Sequence, residues 1–191
     1  MNATLKKFIT TYVSLSDAEL EEIAGRFRPK SVKKNDFLLK QGGICTDLIV
    51  VHKGCLRLYY LKDDVEVSVW FAFPQSSAIE MYSFISETPS DYFLQAIEDS
   101  EVLRLPKTEL NQLYQQQARM QEMIRRFWED VILNLISRFT ALQADSAEKR
   151  YLDLLQKPAY LETIPQKYLA SLIGVTPTSL SRIRRKLARH H

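Results

Sequence analysis

Cysteine and glycine are scarce in this sequence: two cysteines, Cys45 and Cys55, and five glycines occur in 191 residues. Two cysteines exclude a disulfide scaffold, a four-cysteine zinc module and a Cys-ligated iron–sulfur cluster. No apolar run reaches the ~18 residues that a membrane span needs. Met1 to Thr10 holds neither an apolar stretch nor a small-residue cleavage site, so no signal peptide is read. A reduced, cytoplasmic protein with no membrane partner is the expectation. Cations are missing from one long stretch. Between Lys62 and Arg104 there is no Lys or Arg, while Asp63, Asp64, Glu66, Glu80, Glu87, Asp91, Glu98, Asp99 and Glu101 all lie there. No glycine stands between Gly54 and Gly174 to form a backbone nest for an anion. A phosphate in that stretch would meet carboxylates and no cation, which Coulomb's law disfavours. Neither a Ser-His-Asp set, a paired-His metal motif nor a phosphate loop is present. Nothing supplies a nucleophile with its base, so neither an enzyme, a metal site nor a cofactor is expected.

What the chain does have is a globular composition, 46% hydrophobic and 26% charged. Its length suits one large domain or two small ones. The net charge of +3 is unevenly spread. Residues 145–191 carry nine Lys/Arg against four Asp/Glu, and the final ten residues hold Arg182, Arg184, Arg185, Lys186 and Arg189. A basic end on a mildly acidic body points to an anionic partner, nucleic acid being the common one, or else to a solvated tail.

Three textures follow one another. Residues 1–26 read as helical, with Ser16 as an N-cap before Asp17-Ala18-Glu19. From Pro29 to Leu105 short apolar runs alternate with period two: Phe37–Leu39, Leu48–Val51, Leu56–Leu61, Val65–Phe73, Tyr92–Ile97 and Val102–Leu105. Gly42-Gly43, Lys53-Gly54 and Asp63-Asp64 mark turns between them. Many short strands at near-regular spacing predict a β-barrel or jelly roll. After Pro106 the texture is helical. The segment from Ala118 to Leu142 has one apolar row at Met120, Ile124, Phe127, Val131 and Leu135, and a second through Trp128, Ile132, Leu135, Phe139 and Leu142. One seam can pack on the barrel and the other on a second copy. A helix buried inside a monomer is the alternative. The residues taken as the dimer interface are Met120, Ile124, Phe127, Val131 and Leu135. Asp145-Ser146-Ala147-Glu148 opens a further short helix, which Pro158 is expected to end.

Residues 164–187 form a helix-turn-helix pattern. Ala170 is small enough for two helices to cross closely, and Gly174 stands where the turn favours positive φ. Leu169, Ile173, Val175, Leu180 and Ile183 fall where the helices must bury apolar groups together. Thr176 can cap the second helix and Pro177 suits its first position. Thr178, Ser181 and Arg182 are then expected on the exposed face, Arg182 placed to read guanine. Arg184, Arg185, Lys186 and Arg189 are expected on phosphates, and Thr176 and Ser179 complete the candidate DNA-binding set.

A β-rich N-terminal part, a long helix and a C-terminal helix-turn-helix, in that order, resemble the cyclic-AMP receptor protein / fumarate-nitrate regulator (CRP/FNR) family of bacterial transcription regulators. Lys53-Gly54-Cys55-Leu56-Arg57-Leu58 is similar to the family's strand after a glycine turn, and Ile164 to Leu187 aligns with its DNA-reading segment. The resemblance implies an α+β chain. A cyclic-nucleotide-binding-like β-barrel (jelly roll) would occupy residues 1–117, a dimerisation helix 118–144 and a helix-turn-helix domain 145–191. It also implies an inverted-repeat operator in double-stranded DNA bound by a homodimer, with RNA polymerase as a further partner the family allows.

Two departures from the family are visible. Cyclic-nucleotide binders carry a Gly-Glu-Leu turn and an Arg-Ser pair on the phosphate. Here the matching stretches read Ala78-Ile79-Glu80-Met81 and Ser90-Asp91-Tyr92. The candidate effector contacts are therefore Glu80, Met81, Tyr82 and Tyr92, toward an uncharged or apolar effector rather than cyclic AMP. A filled, ligand-free barrel is the alternative, with Glu80 a surface or capping carboxylate. The family's terminal wing is not expected, since His191 follows the second helix closely, and Arg184, Arg185, Lys186 and Arg189 would carry more of the phosphate contact. His52 as a haem ligand and Cys45 with Cys55 as a redox pair are weaker alternatives. A sensor or interaction module that keeps the fold without binding DNA is the competing function.

Overall fold

A computed structural model describes residues 3–188. Two short helices, α1 (Ala3–Thr10) and α2 (Asp17–Arg26), open the chain. Ser16 starts α2 through a reciprocal cap: its hydroxyl accepts from the Glu19 amide, and the Glu19 carboxylate accepts from the Ser16 amide at 2.8 Å.

Eight strands follow: β1 (Arg28–Val32), β2 (Phe37–Leu39), β3 (Asp47–Lys53), β4 (Leu56–Lys62), β5 (Val65–Ala72), β6 (Ser77–Ala78), β7 (Tyr92–Ala96) and β8 (Ser100–Pro106). They form two antiparallel four-stranded sheets, ordered β1-β8-β3-β6 and β2-β7-β4-β5. This is the two-sheet arrangement that alternating strands with turn signals predict. Gly54 makes the β3–β4 turn possible. Its φ is +87°, and a Cβ there would lie 2.3 Å from Ser100 Oγ, so any side chain would collide.

Between β6 and β7 lies the short helix α3 (Met81–Ser86), and after β8 come α4 (Lys107–Gln116) and α5 (Ala118–Ala144). The helices α6 (Ala147–Leu155), α7 (Pro158–Thr163), α8 (Gln166–Leu172) and α9 (Pro177–Leu187) complete the described chain. Pro158 does not end α6, which stops at Leu155; it opens α7, where its missing N–H costs nothing.

The N-terminal half of α5 is part of the monomer's own core. Met120, Met123, Ile124 and Phe127 are buried, and Phe127 meets Phe8 and Tyr12 of the α1 region edge to face. The expectation that Met120, Ile124 and Phe127 line a dimer seam is therefore corrected: α1, α2 and α4 already cover that row. Val131 is half-buried against the same core, and only Leu135 of the expected five is exposed. A different apolar face is open to solvent, made by Ile132, Leu133, Leu135, Ile136, Phe139 and Leu142. At 100° per residue most of this face lies on the side of α5 away from the core row.

Candidate nucleic-acid interface and sensor region

The helix-turn-helix forms as the residue types dictate. Leu169, Ala170, Ile173 and Leu180 are buried together, and Gly174 turns the chain at φ +72°. The Thr176 hydroxyl accepts from the Ser179 amide at 3.1 Å, closing the first turn of α9 behind Pro177.

The candidate DNA-binding residues divide into groups. Thr178, Arg182 and Arg185 are exposed at spacings of four and three, so they share one stripe of α9. Among the described residues, Arg182 and Arg185 have no hydrogen bond or ion pair. Arg184 reaches Gln166 Oε1 at 3.4 Å, and Lys186 is held by Glu148 of α6 at 2.7 Å. Ser181, expected on the exposed face, is half-buried: its hydroxyl donates to the Pro177 carbonyl at 3.0 Å and accepts from Gln166 Nε2 at 2.6 Å. Ser179 is likewise occupied with the Thr176 cap. Arg189 and the pair His190-His191 lie outside the described residues.

The effector candidates do not converge. Glu80 is 4% exposed, and its carboxylate accepts from the Tyr82 amide at 3.0 Å and the Ser83 amide at 2.9 Å. It caps α3, so both oxygens are engaged in structure and the surface reading is excluded. Tyr82 is 72% exposed and points outward; Met81 is half-buried. Tyr92 packs edge-on against Tyr60, and burial pushes its hydroxyl pKa up. Between α2, α5 and the β-sandwich, the cavity lined by Phe27, Leu105 and Phe127 measures only about 10 Å³, at the limit for one water. His52 hydrogen-bonds through Nδ1 to Thr4 at 2.8 Å. Both cysteines are buried free thiols. Burial pushes Cys45 up and Cys55 to about 12, the opposite of what a reactive thiolate needs.

Arg57 carries a role that sequence reasoning missed. It is completely buried although it stands on a strand. Its guanidinium lies 4.2 Å from the ring of Tyr59 and 3.6 Å from that of Tyr168 on α8. Nε donates to Ser68 Oγ at 2.9 Å and Nη1 to Glu66 at 2.7 Å, while Nη2 has no partner among the described residues. Beside it, Ser171 of α8 accepts from the Ser68 amide at 2.8 Å and donates to the Glu66 carbonyl at 3.0 Å. The open edge of β5 is thus covered by the helix-turn-helix unit. Alternation along β4 puts Arg57 on the outer face of its sheet, where the sequence alone predicts solvent. Cys55 and Phe71 join Leu169, Ala170 and Ile173 in one apolar cluster across this contact.

Residues 29–117 match the family model of the cyclic nucleotide-binding domain. No curated protein sequence matches the chain. Solved structures do. FixK2 from Bradyrhizobium japonicum is 16% identical with TM-score 0.71, over 86% of this chain and 85% of that one. A transcriptional regulator assigned to the CRP/FNR family, from Eubacterium rectale, is 18% identical with TM-score 0.69, over 92% and 85%. CLP, the c-di-GMP-responsive global regulator of Xanthomonas campestris, is 16% identical with TM-score 0.69, over 92% and 93%. No helix among the described residues is long and apolar enough to cross a membrane. Residues 29–117 form a cyclic nucleotide-binding-type domain, and the chain has the fold of the CRP/FNR transcription regulators.

Proposed function

We propose that this protein is a DNA-binding transcription regulator of the CRP/FNR type, with a sensor region at 1–117, a dimerisation helix at 118–144 and a DNA-reading unit at 145–191. The observation that carries the reading is the stripe of Thr178, Arg182 and Arg185 on α9. These two arginines face solvent without an internal carboxylate, at the second helix of a helix-turn-helix. That is the element and the chemistry that enter a major groove. The exposed apolar face from Ile132 to Leu142 supports a two-fold dimer through the C-terminal half of α5. Two such α9 helices would read an inverted repeat with half-sites about one helical turn apart, ~34 Å.

Cyclic AMP is not the effector in this reading. The sensor region supplies no Lys or Arg between Lys62 and Arg104, and Glu80 is committed to capping α3. Selection of bound sequences from a random duplex library tests the function. Recovery of an inverted repeat that Arg182→Ala no longer selects supports it. Binding without sequence preference, or none, would favour an interaction module that keeps the fold.

A further inference from the structure

An open cavity of about 190 Å³ lies where the β-sandwich, the C-terminal half of α5 and the helices α6 to α8 meet. Trp70 forms one wall, Tyr160 and Leu172 others, and Arg138 projects from α5 between them. The Arg138 guanidinium sits 5.8 Å from the Trp70 ring centroid. Burial disfavours its charge and Tyr160 is near enough to interact with it electrostatically. Among the described residues it makes no hydrogen bond and no ion pair.

The other charged groups of the lining are already matched. Arg150 donates to the carbonyls of Ile173 at 2.9 Å and Asp145 at 2.5 Å. Asp153, the one carboxylate of the lining, is paired with Lys149. Lys157 stands over the Tyr160 ring at 5.6 Å and is the third cation of the lining, after Arg138 and Arg150. The cavity therefore has a positive balance, two aromatic walls and one desolvated guanidinium with every donor open. On α5 it uses Asn134, Ser137, Arg138, Ala141 and Leu142; all but Leu142 lie opposite the exposed apolar face, so a partner copy on that face borders the cavity only at Leu142 and leaves its other side open.

We infer that this junction is a binding site for a small aromatic carboxylate, whose ring packs against Trp70 and Tyr160 and whose carboxylate accepts hydrogen bonds from Arg138. A planar monoanion suits a guanidinium fork and two ring faces together. The open volume admits a benzoate-sized molecule. The binding claim stands whether or not the chain reads DNA.

Trp70 and Trp128 are the two tryptophans of the chain, so Trp128→Phe leaves Trp70 as the reporter. Benzoate is titrated into this protein at constant ionic strength, with benzamide as the uncharged probe. Saturable quenching below about 10 mM benzoate is expected, with benzamide and the Arg138→Gln variant each weaker by about tenfold or more. Ala141→Phe, which fills the cavity and keeps the charge, should also abolish saturation, while Arg185→Gln should not. Circular dichroism establishes that each variant is folded. Failure to saturate, equal affinity for benzoate and benzamide, or a folded Arg138→Gln protein that binds as well as its parent would overturn the assignment.

Discussion

The ring of Tyr168, on the first helix of the helix-turn-helix, covers the guanidinium of Arg57, on a strand of the β-sandwich, at 3.6 Å. A charge with no exposed surface is thereby shared between the two halves of the molecule. A desolvated cation over an aromatic face contributes about 2 kcal/mol. Tyr168→Ala should therefore loosen the docking more than it unfolds the chain. Cys55 lies beneath this contact, so its labelling by a thiol reagent should accelerate in Tyr168→Ala while the thermal transition of the sandwich changes little. Unchanged labelling would show that the ring contributes nothing to docking.

Arg57 itself separates charge from volume. Arg57→Ala leaves a void and strips Glu66 of its partner, and should destabilise by about 3 kcal/mol in urea unfolding. Arg57→Met keeps most of the volume and removes the unpartnered Nη2, so it should be near neutral in stability. Equal losses for both would mean that charge, not packing, matters at this position.

The two halves of α5 should respond differently to a buried charge. Ile136→Glu or Phe139→Glu, on the exposed face, should give folded monomers by light scattering. Phe127→Glu, inside the core against Phe8 and Tyr12, should lose the folded state instead. A folded monomeric Phe127→Glu protein would contradict the core placement.

On DNA, Arg182→Ala should cost ~1–3 kcal/mol at one base pair of each half-site if it bonds guanine at two positions. Arg185→Ala should weaken all sequences alike and reduce the salt slope by about one per contact in each subunit. Lys186→Ala should do less, because Glu148 already holds that ammonium. Binding-site selection and affinity against salt distinguish these outcomes.

Stability should fall on the alkaline side. The Cys55 thiol is pushed up to about 12 when folded, and burial raises Cys45 as well. An unfolded thiol ionises near pH ~8.5, so above that pH the unfolded chain releases protons that the folded chain keeps. The contribution is fully present below that value and is lost progressively up to the folded pKa. Cys55→Ala should flatten the decline of urea midpoints between about pH 8.5 and 10.5. An equally steep decline in the variant would place its cause elsewhere.

The strands were legible because period-two runs separated by turn residues leave few alternatives. The helix-turn-helix was legible because Ala170, Gly174, Thr176 and Pro177 each answer a local backbone demand. β1 was not: Arg28-Pro29-Lys30-Ser31 has no apolar alternation, and of the strand's five residues only Val32 is buried where it pairs with β8. β6 is two residues long and carries no period. The α5 seam was not legible, because two apolar rows on one helix do not reveal which of them α1 and α2 cover. Arg57 was invisible for a similar reason. A strand that alternates apolar and charged residues predicts one wet face, and only tertiary docking decides that α8 dries it. Spacing predicts an exposed Ser181, whereas a bond from Gln166 turns it inward.

The division of α5 between an inward and an outward half also fixes the order of events in time. Each chain completes its core from its own α1, α2 and α4, so folding is unimolecular and its rate should not vary with protein concentration. In the proposed dimer, pairing through the outward face would be a separate, bimolecular step. Dilution should therefore yield folded single chains rather than unfolded ones, and the fraction of chains competent to span two half-sites would be set by how much protein the cell makes.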